Sequence, residues 1–320
     1  MTGEDRHAAA AGRHRSPAHG FCDDEETRRL LRSRPPREAL AWAGARLGGP
    51  VISARALRGG MSSAVHLVTA RIADGQRQAV LRQYVRPEDE PGIAGREARA
   101  LRFAGSLGVP VPALLAVDPD GTRAGRPAVL MSRLAGQVTW WPSDLDAWLA
   151  RMAEVLARIH AAPLPPPGMI RGFTAEAPAS YRPPAWAHHP RAWQRAVEIS
   201  CGPVPAEPTV PLHGDFHPGN VLWWRGRVSG VVDWQAASTG PAAADVAHCR
   251  VNLLTFGPAV AERFTRLWER AAGTSYHPWG DVVAILGFLD DLRDDQGSEG
   301  LMVEDMLARA VAAAHHHGVA

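Results

Sequence analysis

The sequence predicts an α+β protein, with an antiparallel sheet and one long helix in its first half and a mainly helical second half. Three observations carry this expectation. Between about residues 51 and 131, short apolar and β-branched runs alternate with Gly-rich and Asp-Gly turns. A single stretch of helical period interrupts those runs. From Leu145 onward, apolar residues recur mostly at three- and four-residue steps. At 320 residues, 46% hydrophobic and 21% charged, the chain can bury a full core and divide into about two domains.

Residues 1–27 are rich in Ala, His, Arg and Gly with few large apolar groups, a composition that does not offset the entropy of ordering, so a disordered tail is expected there. An N-terminal lobe is expected over residues 28–135. It begins with a helix from Arg37 to Leu47, stopped by Gly48-Gly49-Pro50. Strand-like segments follow near Val51–Leu57, Ala64–Ile72 and Ala79–Tyr84. Arg58–Ser63 joins the first pair, and Asp74-Gly75 is a hairpin signal for the second. A helical pattern over Ile93–Leu107 ends at Gly108, before the extended Val109-Pro110-Val111-Pro112. Strands at Ala113–Val117 and Pro127–Met131 flank an Asp120-Gly121 turn, and Ser132–Gln137 reads as a hinge.

A C-terminal lobe is expected over residues 136–320. Leu145, Trp148, Leu149, Met152, Val155, Leu156 and Ile159 mark an amphipathic helix with Ser143 as candidate N-cap, broken by Pro163–Pro167. A second helix is expected over Trp186–Ile199. Strands at Val221–Trp224 and Val228–Val232 precede helices near Ala243–Leu254, Ala259–Ala271, Trp279–Leu292 and Leu301–Ala314.

Composition narrows the function. With 35 basic and 33 acidic residues interspersed and a formal net charge of +2, no global field favours nucleic acid or an anionic membrane as partner. Cys22, Cys201 and Cys249 show no C-x-x-C spacing, which suits a reducing cytoplasm rather than a disulfide framework. The N-terminus lacks a continuous apolar core of the secretory type. The longest apolar stretch, near Val282–Leu289, is far short of the roughly 20 residues of a membrane helix. A cytoplasmic monomer or homodimer is expected.

The chemistry concentrates in Pro211-Leu212-His213-Gly214-Asp215-Phe216-His217-Pro218-Gly219-Asn220-Val221-Leu222-Trp223. This H-G-D-x-x-x-x-N loop runs into an apolar strand, and a second acid, Asp233, follows in Gly230-Val231-Val232-Asp233-Trp234. Phosphoryl transfer from a nucleotide needs such a set: one carboxylate to take the proton of the attacking hydroxyl, and an amide and a second carboxylate to hold Mg²⁺. Asp215 is the candidate general base, although an Asp beside Gly also commonly satisfies backbone N–H groups in a turn. Asn220 and Asp233 are the candidate metal ligands. Mg²⁺ takes one or two carboxylates plus phosphate oxygens, so they suffice as the protein's share. Asn220 could equally cap the turn after Gly219. The letters Gly214-Asp215-Phe216-His217 also match the G-D-x-H that opens metallophosphoesterase sites, with His213, Asp215 and His217 as ligands. That chemistry requires a later G-N-H-[DE] segment, and here Asn220 is followed by Val221 and Leu222.

On these motifs the chain resembles the aminoglycoside phosphotransferase and choline kinase-like family, of protein-kinase-like bilobal fold, over about residues 36–315. The resemblance implies an ATP- or GTP-dependent, Mg²⁺-dependent phosphotransferase acting on a hydroxyl of a small molecule. It implies Asp215 as base, Asn220 and Asp233 at Mg²⁺, and His213 buttressing the loop. Asp245, in Gly240-Pro241-Ala242-Ala243-Ala244-Asp245, would brace that loop from a helix start, where the dipole favours a carboxylate. On the nucleotide side it implies a phosphate-covering turn over Arg58–Ser63, with Gly60, Ser62 and Ser63. Arg82 stands at the usual lysine position, with Glu97 as its partner, and Met131 lies in the segment reading the adenine edge. Arginine keeps the charge but not the geometry of lysine, so a catalytically silent nucleotide- or ligand-binding protein of the same fold is the alternative. His188-His189 and His315-His316-His317 read as loose segments. The acidic run Asp290, Asp291, Asp294, Asp295, Glu299, Glu304 and Asp305 reads as a solvated face, and most of the eleven tryptophans read as core.

Overall fold

The computed structural model describes residues 25–57, 63–87, 90–175, 182–288 and 298–316. Gly60 and Ser62 of the expected phosphate turn, the tail before residue 25, the acidic residues Asp290 to Asp295, and His317 lie outside the described residues. Contacts divide the chain into two units, residues up to 93 together with 115–131, and residues 94–114 together with 132 onward.

The first unit holds helices α1 (Glu25–Arg32) and α2 (Arg37–Leu47) and strands β1 (Val51–Ala56), β2 (Ser63–Ile72) and β3 (Gly75–Tyr84). Helix α3 (Ile93–Ala104), grouped with the second unit, precedes β4 (Leu114–Asp118) and β5 (Ala128–Ser132). The five strands form one sheet in the order β1-β2-β3-β5-β4. Strand β1 pairs antiparallel with β2, and β2 with β3 in unbroken register from Ser63↔Tyr84 to Ile72↔Gly75, so the Asp74-Gly75 signal marks a tight hairpin. Alternate residues Val68 and Ala70, Ala79 and Leu81, and Ala128 and Leu130 face one side of this sheet, where Ala39, Trp42, Ala43 and Leu47 of α2 cover them. Small residues at these positions let helix and sheet approach closely. The Gly-Gly stop after α2 has a steric cause: Gly48 adopts φ +91°, and a Cβ on Gly49 would lie 1.8 Å from the Arg71 carbonyl oxygen. Helix α1 was not expected from the sequence. Its Leu31 is buried with Ala64 and Val85, so residues 25–27, expected as part of the tail, belong to a packed helix.

The second unit contains α3, β6 (Gln137–Val138), α4 (Leu145–His160), β7 (Arg171–Gly172), α5 (Pro190–Cys201) and β8 (Thr209–Leu212). Strands β9 (Val221–Trp224), β10 (Arg227–Val231) and β11 (Ser238–Pro241) follow, then α6 (Ala242–Leu253), α7 (Pro258–Ala272), α8 (Trp279–Gly287) and α9 (Ser298–His316). Two three-stranded sheets run β10-β9-β6 and β7-β11-β8. Helix α4 buries the expected stripe, including Trp148, Leu149, Met152, Val155, Leu156 and Ile159. Its N-cap is Asp144 rather than Ser143, with a carboxylate oxygen accepting from Ala147 N at 3.0 Å. Trp193, Trp234, Trp268 and Trp279 are fully buried, whereas Trp141 is 61% exposed.

One member of the acidic run departs from the solvated face expected for it. Glu304 of α9 is buried and accepts from His188 N, His189 N and Trp193 Nε1 at 3.0, 2.9 and 2.9 Å. It places a carboxylate at the N-terminus of α5 and ties down the His188-His189 backbone. Helix α6 is fixed in rotation by Arg250, whose guanidinium grips Asp281 of α8 through Nε and Nη2 at 2.9 and 3.1 Å and reaches Glu262 of α7 at 3.0 Å. Among the described residues no helix is long and apolar enough to cross a membrane.

Candidate active site

Strand β8 carries the chain into the motif, pairing antiparallel with β11 so that Leu212 lies opposite Ser238. After His213 the backbone turns sharply at Gly214, which has φ +81°; a Cβ there would meet the Ala236 carbonyl oxygen at 2.2 Å. The turn presents Asp215 while Phe216 enters the core, 0% exposed. His217 then caps the short 3₁₀ turn Pro218–Asn220, its Nδ1 accepting from Gly219 N at 3.1 Å. From Asn220 the chain enters β9, turns at Arg225-Gly226, both at positive φ, and returns as β10.

This hairpin returns the second acid to Asn220. Val231 pairs with Val221, and Val232 N donates to Asn220 O at 2.9 Å, so Asp233 follows a residue bonded to Asn220. Val232 O in turn accepts from His213 Nε2 at 2.9 Å. Because His213 Nδ1 accepts from Asp215 N at 3.2 Å, both nitrogens of that ring are engaged within the loop. Asp233 has φ +69° and ψ +64°, a left-handed conformation that costs a non-glycine residue of order 1–2 kcal/mol and concentrates at functional positions.

Both oxygens of Asp215 are held. Asn220 Nδ2 donates to Oδ2 at 2.9 Å and to the Asp215 backbone carbonyl at the same distance. His248 Nε2 lies 2.8 Å from Oδ1, and His217 Nε2 lies 3.7 Å from the same atom. Burial pushes the Asp215 carboxyl up, but the hydrogen bond and charge of His248, with the charges of His217 and His213, outweigh it and hold the group well below the usual carboxylate range. His217 itself is pushed down by burial to about 4, which leaves it neutral at pH 7.

Asp245 secures the loop from α6. Its carboxylate, 1% exposed, accepts from His213 N and Gly214 N, each at 2.7 Å, and from His160 Nε2 of α4 at 3.2 Å. His160 Nδ1 accepts from Trp268 Nε1 at 3.2 Å, which leaves the ring proton on Nε2, facing Asp245. Burial alone would raise the Asp245 carboxyl. The His160 bond and charge and the loop N–H groups lower it instead.

Ligand-type atoms of Asp215, His217 and His248 lie within 4.8 Å of one another, a grouping that could hold a metal ion. The His217 tautomer opposes that use. Its Nδ1 is occupied by the Gly219 N–H, so the proton sits on Nε2, the atom facing Asp215, whereas a metal-bound histidine ordinarily donates through its other nitrogen. His213, the remaining ligand of the metallophosphoesterase alternative, is committed at both nitrogens.

The sequence-predicted residues thus fall into two groups. Asp215, His213, Asn220 and Asp245 share the second unit and are linked by the bonds above, and Asp233, in the same unit, follows Val232, which is bonded to Asn220 and His213. Ser63, Arg82 and Met131 lie in the first unit, on β2, β3 and β5, each buried; Glu97 is buried on α3. His248, His160 and Trp268 were not singled out from the sequence. The only local signal for His248 is its place three residues after Asp245, on the same face of α6.

The fold is the protein-kinase-like one that phosphotransferases share. The chain matches the Phosphotransferase enzyme family over residues 53–279, and it belongs to that family. It is 28% identical over 203 residues to mouse acyl-CoA dehydrogenase family member 10, matching 56% of this chain and 18% of that protein. It is 28% identical over 165 residues to homoserine kinase of Chelativorans sp. strain BNC1, matching 46% of this chain and 47% of that one. The chain therefore spans less than half the length of these curated relatives. Among solved structures it shares its fold with aminoglycoside phosphotransferase APH(4)-Ia in ternary complex with ADP and hygromycin B. The TM-score is 0.56 at 19% identity, covering 86% of this chain and 98% of that one. Family and relatives support a small-molecule kinase.

Proposed function

We propose that this protein transfers the γ-phosphate of ATP or GTP to a hydroxyl of a compact small molecule, in a Mg²⁺-dependent reaction with Asp215 as the base. The observation that carries the reading is the fixation of Asp215 between Asn220 and His248, with the second acid returned to Asn220 by β10. The donor set suits the metal. Asn220 commits its Nδ2 to Asp215, which leaves its side-chain oxygen as the atom for a hard cation, and Asp233 adds a carboxylate. Asn220 and Asp233 would hold Mg²⁺, which supplies neutralisation of the phosphate charge.

In the proposed step the acceptor hydroxyl oxygen forms a bond to the γ-phosphorus, the bond from that phosphorus to the bridging oxygen breaks, and the nucleoside diphosphate leaves. Asp215 takes the hydroxyl proton. A carboxylate held so far below its usual range is a weak base, which suits a loose transition state in which the proton moves late and the carboxylate chiefly orients the nucleophile. His213 and Asp245 keep the loop in place. On this reading Arg82 and Glu97 serve the phosphates, Ser63 belongs with Gly60 and Ser62 to the covering turn, and Met131 reads the adenine edge.

A cavity of about 270 Å³ in the second unit supports a compact acceptor. It is bounded by Gly214 and His248 beside the base and by apolar groups including Phe173, Val283 and Phe288. The relatives' names, homoserine kinase and an aminoglycoside phosphotransferase bound to hygromycin B, support hydroxylated small molecules as the class. The test is transfer of ³²P from γ-labelled ATP and GTP, with Mg²⁺, to a panel of amino alcohols, sugars and hydroxylated antibiotics. A labelled acceptor is expected with at least one compact alcohol. Tight nucleotide binding with no transfer to any alcohol or to water would overturn the reading.

A further inference from the structure

We propose that His248 is a positioning residue for phosphoryl transfer, locking the plane of the Asp215 carboxylate beside the acceptor cavity; the inference rests on the phosphotransferase reading above. Asp245 and His248 stand three apart on α6 and so share one helix face. Asp245 grips the backbone at His213 and Gly214, while His248 grips the side chain of the next residue. One helix face, fixed in rotation by the Arg250–Asp281 pair, thereby sets both the path of the loop and the plane of its carboxylate.

The second clamp is needed because the terminal torsion of an aspartate is broad. The Asn220 amide holds Oδ2 and leaves the carboxylate free to tilt about that contact, whereas His248 on Oδ1 removes the remaining freedom. The His248 ring also bounds the cavity, its side chain is 22% exposed, and it packs against Phe288 with ring centroids 4.8 Å apart. It therefore stands at the meeting point of base and acceptor space. To donate to a carboxylate, His248 must carry its proton on Nε2.

Two measurements on the full chain test this. In ¹⁵N-histidine-labelled protein, with the signal assigned through His248→Gln, His248 is expected to show a protonated Nε2 whose proton and nitrogen shifts move in Asp215→Asn. A ring protonated on Nδ1 alone, or shifts indifferent to Asp215→Asn, would overturn the proposal. The second measurement is Mg·ATP turnover with water as acceptor. His248→Ala is expected to lower kcat about 10- to 100-fold, as for loss of one charge-assisted bond, with KM for ATP within about twofold. His248→Gln, whose amide N–H reaches toward the same oxygen, should recover to within about threefold of the parent. Unchanged kcat in His248→Ala, a change confined to KM, or a His248→Gln variant as impaired as the alanine would each overturn it. A parent protein that transfers phosphate to neither water nor any alcohol would defeat the phosphotransferase reading instead, and the nitrogen spectrum would still decide whether His248 holds Asp215.

Discussion

Replacing Asp245 probes how the candidate catalytic loop is held. In Asp245→Ala three donors, His213 N–H, Gly214 N–H and His160 Nε2–H, lose their acceptor in a site where Asp245 is 1% exposed. Each unsatisfied buried donor costs about 1–3 kcal/mol, toward the upper end where the acceptor lost was a charged carboxylate. These penalties overlap, so a loss of about 3–5 kcal/mol is expected, a large share of a typical total of about 5–15 kcal/mol. Asp245→Asn should cost about 2–3 kcal/mol, because one carboxamide oxygen can still accept while its NH₂ is turned on a loop N–H. Urea unfolding at pH 7, followed by tryptophan fluorescence, measures both. A double-mutant cycle with His160→Ala should return a coupling of about 1 kcal/mol or more. If Asp245→Asn were as stable as the parent to within about 0.5 kcal/mol, the reasoning that this carboxylate holds the loop would be refuted.

Two further predictions concern the same loop. His217 falls from 6.5 in the unfolded chain to about 4 in the fold, so the folded state binds fewer protons across that interval. Its contribution to stability is therefore intact above about pH 6.5 and declines as pH falls toward 4, by about 3 kcal/mol in all. His66, also lowered by burial, adds to the parent's slope, so the informative quantity is the difference. His217→Gln should have a flatter dependence of unfolding free energy between pH 6.5 and 4, and equal slopes in both proteins would contradict the assignment. Gly214→Ala combines φ +81° with a Cβ 2.2 Å from a carbonyl oxygen, and should lose at least about 2 kcal/mol by chemical denaturation. A neutral substitution would mean that the turn is not built as described.

The parts of this molecule legible in the sequence are those specified by local chemistry. The hairpin of β2 and β3 follows from Asp74-Gly75 between alternating runs. Helix α4 follows from an apolar period sustained over its length, and the end of α2 follows from two glycines with no room for a side chain. The strands β6, β7, β8 and β11 were not legible, because two to four residues carry no measurable period and exist only through their partners. Helix α1 was hidden for a related reason: eight residues with two buried positions give little pattern, and its order comes from Ala64 and Val85. The cap of α4 shifted from Ser143 to Asp144 because both are good caps and only the entry angle of the chain chooses between them. Glu304 was misplaced on a solvated face because its three donors lie more than a hundred residues away in sequence.

The candidate site divides in the same way. Asp215 and Asn220 announce themselves by spacing within one loop, and Asp233 by ending an apolar strand. The supports of that loop do not. His160 lies 85 residues from Asp245, and Trp268 lies 108 residues from His160, and neither has a sequence neighbour to mark it. His248 sits in the middle of a helix, where a histidine reads as an ordinary core or surface residue until the Asp215 oxygen is found beside it.

The most direct test of the central claim is the rate of γ-phosphate transfer by Asp215→Asn, measured with Mg·ATP and the best acceptor from the alcohol panel and read beside the affinity for the nucleotide. The carboxamide keeps the shape of the side chain but cannot take the proton. The account predicts kcat lower by about 10²- to 10⁴-fold with nucleotide affinity unchanged. Transfer at the parent rate by that variant would contradict it.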